Sequence, residues 1–281
     1  MRNALSVDVE DWFQVGAFER VISRDAWECL PRRVETNTDR VLALFEHAEV
    51  KATFFTLGWV AQRHPALVRR IADAGHEVAS HGWDHRRVFT LEPDEFRADL
   101  NKARAAIEDA AGTAVTGYRA PSFSIDARTP WAHPILAELG YSYSSSVAPV
   151  AHDHYGWRES PRFAWKPVAG SKMIELPVTT VDIAGRRMAA GGGGFFRLLP
   201  YAFSNWAIDR VNRAEGRPAI FYFHPWEIDS DQPRVADAPL KSRLRHYTNL
   251  AAMEPKLLKL LSAHQWGRTD HVAEAEQARL S

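Results

Sequence analysis

The 281-residue chain sets 35 Lys and Arg against 35 Asp and Glu, is 46% hydrophobic and contains one cysteine. A zero formal net charge gives no global field to draw nucleic acid or an anionic membrane, and the lone Cys29 excludes an intramolecular disulfide framework. No stretch approaches the roughly 18 consecutive apolar residues of a membrane span. The opening Ala4-Leu5-Ser6-Val7-Asp8 is too short and too soon acidic for a signal peptide, so a soluble, cytoplasmic chain is expected.

Residues 4–9 read as a short buried strand that ends near Asp8-Val9-Glu10-Asp11, and irregular sequence follows to about residue 35. Thr36-Asn37-Thr38 is predicted to cap a helix carrying Val41, Leu44, Phe45 and Ala48 at i, i+3, i+4 and i+7. A strand at 52–57 closed by Gly58 follows, then a helix with Pro65 in its first turn and Gly75 past its end, then a strand at 76–80. A long helix from about Pro93 to Ala111 keeps Phe96, Leu100, Ala103 and Ile107 on one stripe and stops at Gly112. Strands are expected at 114–118, 141–147, 173–179 and 219–223, and helices near 128–139, 200–212 and 244–261, the last broken at Pro255. This βα alternation argues for an α/β fold with a parallel sheet closed or nearly closed into one barrel over residues 1–281. Two segments lie outside the alternation. Residues 148–172, with Tyr155, Trp157 and Trp165, read as a long surface loop, and the glycine run 191–194 with Phe195 and Phe196 reads as a flexible, aromatic-tipped loop at a site mouth. No Gly-Lys-Ser/Thr follows those glycines, which argues against a phosphate cradle.

The chemistry concentrates at strand ends. Ser80-His81-Gly82-Trp83-Asp84-His85 carries two imidazoles four residues apart, a spacing that can converge on one divalent cation. The acidic Asp8, Glu10 and Asp11 follow the first apolar run, and His224 follows the run 219–223. Carboxylates and histidines at the C-terminal ends of several strands are how a parallel barrel builds a site. Each feature also has a plain structural reading: a surface His pair, a salt-bridging Arg119, a hydrogen-bonded buried His224, and Trp83 and Trp226 as barrel caps. His47, His64, His133, His152, His154, His246, His264 and His271 read as surface or structural.

Taken in order, Asp8, the His81/His85 pair, Arg119-Ala120-Pro121 and His224-Pro225-Trp226 resemble the motifs of the polysaccharide deacetylases of carbohydrate esterase family four, the NodB-homology domains. The opening Leu5-Ser6-Val7-Asp8-Val9-Glu10-Asp11-Trp12-Phe13 and Gly193-Gly194-Phe195-Phe196-Arg197-Leu198-Leu199-Pro200 are most similar to the exosortase-associated subfamily. The resemblance implies a distorted (β/α) barrel of about seven parallel strands, with a subfamily-specific portion from about residue 190. It implies a metal-dependent hydrolase that removes N-acetyl groups from hexosamine units of a cell-surface polysaccharide, an exopolysaccharide or a lipid-linked oligosaccharide. By the same resemblance Asp8 is the base, Arg119 its partner, His224 the acid, and Ser122 and Trp226 substrate-binding residues. His81 and His85 would hold a divalent metal, with zinc first and cobalt or nickel as substitutes. The sequence departs from the family where adjacent aspartates are usual: here the third ligand is Glu10, with Asp11 as the alternative. Strand alternation puts Glu10 on the face of Asp8 and Asp11 on the other. It departs again at Tyr143-Ser144-Ser145-Ser146, where an aspartate usually steadies the catalytic histidine; Asp182 and Glu227 both stand as replacements. The competing expectations are a small-molecule amidohydrolase of the allantoinase-like kind and a carbohydrate-binding relative without turnover.

Overall fold

The structure is a computed structural model that describes residues 1–151 and 156–281; His152, His154 and Tyr155 lie outside the described residues. In chain order the elements are β1 (Arg2–Val9), α1 (Val34–His47), β2 (Thr53–Thr56), α2 (Gly58–Arg63), α3 (Pro65–Asp73), β3 (Glu77–Ser80) and α4 (Pro93–Ala111). Then come β4 (Gly117–Tyr118), α5 (Ala132–Glu138), β5 (Tyr143–Ser144), β6 (Ile174–Glu175), and a hairpin of β7 (Thr180–Ile183) and β8 (Arg186–Ala189). The chain closes with α6 (Gly193–Leu198), α7 (Tyr201–Asp209), β9 (Ile220–Phe223), α8 (Leu240–Tyr247), α9 (Leu250–Ala263), β10 (Gln265–Gly267) and α10 (Thr269–Arg279).

Seven parallel strands in the order β9-β1-β2-β3-β4-β5-β6 curl into a half-barrel, as the α/β alternation predicts. β1 lies inside this sheet and is buried along nearly its whole length, which is why its sequence is an apolar run rather than an alternation. Ser6 and Val7 pair with β2 on one side and β9 on the other, while Arg2–Ala4 pair with β10. Helices α1, α3 and α4 cover the outside with Val41, Phe45, Leu67, Ile71, Leu100 and Ile107, all buried in one core. α4 starts and ends as its sequence dictates. Glu92 and Glu95 form a capping box, Pro93 sits in the first turn, and Gly112 ends the helix at φ 69, a left-handed conformation that costs glycine nothing.

The structure corrects several boundaries. α1 begins at Val34, so Thr36, Asn37 and Thr38 lie inside its first turns, and no side chain of its own N-terminus caps it. A short helix, α2, which the sequence did not announce, begins at Gly58 and precedes the helix that starts at Pro65. The strands expected at 114–118, 141–147 and 173–179 are only two residues long each, and Glu175 adds side-chain acceptance of the Ser146 and Val147 N–H groups to the backbone bonds there. Pro255 lies within an unbroken α9; the break falls at Asn249, whose φ of 55 turns the chain between α8 and α9. The glycine run is not a flexible loop. Gly192 precedes α6, Phe196 and Arg197 are buried, and Tyr222 N–H donates to the Gly191 carbonyl. His133 and His246 are buried, the structural of the two roles expected of them, and within 148–172 Trp157 and Trp165 pack on the core.

Candidate active site

The ends of β1, β3, β4 and β9 deliver Asp8, Glu10, His81, Arg119 and His224 to one face of the sheet, around a cavity of about 740 Å³. Arg119 is fully buried beneath the floor. Its Nη1 donates to Asp8 Oδ1 (2.7 Å) and Ser6 Oγ (2.8 Å), and its Nε and Nη2 donate to the Ser145 carbonyl (3.0 Å) and Ser145 Oγ (2.9 Å). The planar guanidinium thereby fixes one carboxylate oxygen of Asp8 and leaves Oδ2 facing the cavity, 4.0 Å from both His81 Nε2 and His224 Nε2.

Glu10, His81 and His85 bring one ligand atom each to within 4.8 Å of one another, all three residues buried. His81 Nδ1–H donates to the Arg119 carbonyl at 2.9 Å, which fixes the tautomer and leaves the Nε2 lone pair facing the cavity. Burial and the neighbouring His85 outweigh the attraction of Asp8 and Glu10 and push the His81 pKa down to about 4, so the ring is a neutral ligand at pH 7. Burial opposes the charge on Glu10, yet His85 and His224 hold its carboxyl down at about 2. Among the described residues its buried Oε2 has no hydrogen-bond donor of good geometry, and its near neighbour is the prospective ligand atom His85 Nε2 at 2.9 Å. An orphaned carboxylate oxygen converging with two imidazole nitrogens is the donor set that suits a divalent cation such as zinc. His85 sits at φ 60, a conformation that costs a non-glycine residue about 1–3 kcal/mol. Arg24 holds it there by donating to the carbonyls of Asp84 (2.9 Å) and His85 (3.3 Å).

Asp11 faces elsewhere. Its Oδ2 accepts the N–H groups of Arg33 (2.8 Å) and Val34 (3.0 Å), and its Oδ1 accepts that of Trp12 (2.9 Å), so it caps α1 from outside that helix. The strand-alternation argument fails as a reason for this, because β1 ends at Val9 and Glu10 N–H turns back to the Asp8 carbonyl at 3.1 Å. What separates the two acids is the helix end that claims Asp11.

His224 Nδ1–H donates to Glu227 Oε1 at 2.8 Å, leaving Nε2 3.4 Å from Glu10 Oε1. Burial works against its charge, but Glu10, Glu227 and Asp8 lift its pKa to about 9. Of the two acids considered as its support, Glu227 makes the contact; Asp182 lies on β7 and pairs with Arg187 and Arg162 instead. Ser122 lines the cavity at φ 55, in a tight turn after Arg119-Ala120-Pro121. Trp226 is not an open stacking platform. Its ring stacks on His224 (5.1 Å between centroids) and on His246 (4.1 Å) at the cavity wall, and its Nε1 donates to Glu10 Oε1 at 3.3 Å. Sequence reasoning missed Ser6, Ser145, Arg197 and His246 as members of this assembly; they reach it through pairings 20 to 113 residues apart, which no local pattern announces.

In comparison with known proteins, two family models match adjoining parts of the chain, meeting at residues 144 and 145 rather than near 190. Residues 25–144 match the polysaccharide deacetylase family. This deacetylase match contains His81, His85, Arg119 and Ser122; residues 145–274, with Arg197, His224 and Glu227, match a domain of unknown function, DUF3473. A peptidoglycan deacetylase of Helicobacter pylori is 31% identical over 40% of this chain and 38% of its own length. A chitooligosaccharide deacetylase of Bradyrhizobium is 30% identical over 42% of this chain and 65% of its own length. The chain thus spans less than two thirds of either deacetylase. A solved structure from Mycobacterium smegmatis, described as a candidate polysaccharide deacetylase, superposes over 99% of this chain and 91% of its own with a TM-score of 0.62. At 20% identity that likeness shows the fold, a distorted barrel of the deacetylase type.

Proposed function

We propose that the protein is a metal-dependent N-deacetylase acting on N-acetylated hexosamine units of a cell-surface polysaccharide, an exopolysaccharide or its lipid-linked precursor. The observation that carries this reading is the joint placement of Asp8, the Glu10/His81/His85 set and His224 around one cavity, with each of Asp8 and His224 anchored by a buried charged partner. A cation held by Glu10, His81 and His85 would polarise the acetyl carbonyl and lower the pKa of a bound water. Asp8, kept oriented by Arg119, takes a proton from water as its oxygen adds to the acetyl carbon. The backbone N–H of Ser122, a residue of the cavity wall, would donate to the oxygen that becomes negative. His224 gives a proton to the amide nitrogen as the C–N bond breaks, and acetate and a free amine leave. The names of the similar deacetylases support a carbohydrate amide as substrate, and the motifs at 5–13 and 193–200 support the exosortase-associated branch.

The test is incubation of zinc-loaded protein with N-acetylglucosamine oligomers, peptidoglycan and exopolysaccharide, following acetate and free amine. Allantoin serves as the small-ring comparison. Release of acetate from an acetylated glycan is expected. Turnover of allantoin alone would replace the reading with a small-molecule amidohydrolase, and micromolar glycan binding without bound metal or turnover would replace it with a carbohydrate-binding protein.

A further inference from the structure

Behind His224 lies a second buried charge that the reaction just described does not use. Arg197, on α6, is 2% exposed, and each of its three nitrogens donates a hydrogen bond. Nε donates to Glu227 Oε2 at 2.6 Å, Nη1 to the carbonyls of His246 (3.0 Å) and Thr248 (2.5 Å), and Nη2 to that of Arg245 (3.1 Å). Those three carbonyls belong to the C-terminal end of α8, where unpaired oxygens gather negative charge that a cation satisfies. Lys256 of α9 donates to the carbonyls of Phe196, Arg197 and Leu199, and Asn249 donates to that of Arg197. Arg197 is therefore fixed from α8 and α9 while its Nε is aimed at a single acceptor.

Glu227 relays this to His224. Its Oε2 is taken by Arg197, so only Oε1 is left for His224, and that oxygen accepts both the His224 backbone N–H (3.2 Å) and its Nδ1–H (2.8 Å). Gly193 opens the space for this arrangement: a Cβ there would lie 2.3 Å from Glu227 Oε1. Trp226 and His246 stack behind the imidazole and bar it from swinging away.

We propose that Arg197 is a positioning residue for the acid: it locks the Glu227 carboxylate so that Glu227 fixes the Nδ1–H tautomer of His224 and keeps Nε2 turned toward Asp8 and Glu10. This rests on the deacetylase reading for its effect on turnover, but the arrangement itself does not. The segment matched as a domain of unknown function thereby acquires a task. It builds the proton-donating arm of a site whose Arg119 and His81/His85 come from the deacetylase-matched segment.

The experiment uses the full chain and two readouts. The first is the ¹⁵N spectrum of the His224 imidazole, assigned by difference against His224→Gln; the second is kcat and KM on N-acetylglucosamine oligomers with zinc affinity measured in parallel. Measured above pH 9, where the His224 ring has lost its second proton, the wild type is expected to show a single Nδ1–H tautomer. Glu227→Gln should give a mixed tautomer and a kcat lower by about 100-fold, within the usual range for a displaced general acid, with KM and zinc affinity within about threefold. Arg197→Lys should restore most of what Arg197→Met loses. Because Arg197→Met strands a buried carboxylate and can unfold the chain, Arg197→Met combined with Glu227→Gln keeps the test open; it should be no slower than Glu227→Gln alone. A wild-type-like tautomer in Glu227→Gln, or equal additional losses from Arg197→Met with and without Glu227, overturns the proposal. If no variant and no wild type turns over any glycan, the deacetylase reading falls, and the tautomer shift still decides the role of Arg197.

Discussion

Substituting Glu10 and Asp11 one at a time separates two adjacent carboxylates by opposite losses. Glu10→Gln removes an oxygen that converges with His81 and His85 and has no donor of its own, so divalent-metal affinity should fall ten- to a hundred-fold or more, at least what loss of a supporting partner costs, about ten- to a hundred-fold. Asp11→Asn touches no ligand. It replaces a carboxylate that accepts three backbone N–H groups with an amide whose NH₂ must face one of them. One buried donor left unmet costs about 1–3 kcal/mol, and loss of a helix cap alone costs about 0.5–2 kcal/mol. These describe overlapping interactions, so about 2 kcal/mol is the working figure. For a chain of this size that lowers the melting temperature by about 3–4 °C, with zinc affinity within about threefold of wild type. Isothermal calorimetry with zinc and cobalt, alongside scanning calorimetry of the metal-free proteins, reads both quantities. Weaker metal binding in Asp11→Asn than in Glu10→Gln refutes the ligand assignment, and an unchanged melting temperature in Asp11→Asn refutes the capping argument.

His224→Ala should lower kcat by about 10²–10⁴-fold with KM nearly unchanged on an N-acetylglucosamine oligomer; an unchanged kcat makes the residue structural. Arg119→Met leaves the buried Asp8 without its partner and should cost about 3–5 kcal/mol in urea unfolding, whereas a loss below about 1 kcal/mol denies that the pair is buried as described. Glu77 is pushed up to about 7 by burial and by Asp270, so its favourable contribution is complete below its unfolded value of 4.5 and is lost as pH rises through 7. Glu77→Gln should therefore flatten the fall in stability between pH 5 and 7 by about 1–3 kcal/mol, read from melting curves across that range. Chelation should lower the melting temperature of zinc-loaded protein, by an amount equivalent to about 2.7 kcal/mol when zinc had been held at a hundred times its dissociation constant, and that of Glu10→Gln at the same zinc concentration by the equivalent of about 1.4 kcal/mol or less.

The parallel sheet was legible in the sequence because buried strands are continuous apolar runs and helices announce themselves by period and caps; α4 was readable to its last residue for that reason. The motif residues were legible too, since strand ends are where apolar runs stop. Strand ends do not say which way a side chain turns once the strand has finished. Glu10 and Asp11 are both acids past the end of β1, and only the arrival of α1, 22 residues later, takes Asp11 out of the site. In the same way His224 and Glu227 lie three residues apart, but the choice of Glu227 over Asp182 depended on where the β7–β8 hairpin went and on Arg197 reaching across from α6. Residues 191–194 read as flexible because glycine frees an isolated backbone; in the fold the missing side chains instead allow α6 to pack against Glu227 and Tyr222. Local sequence determines which groups are available at a strand end, and long-range packing determines which of them lose their hydrogen-bonding capacity to a helix and which keep it for chemistry.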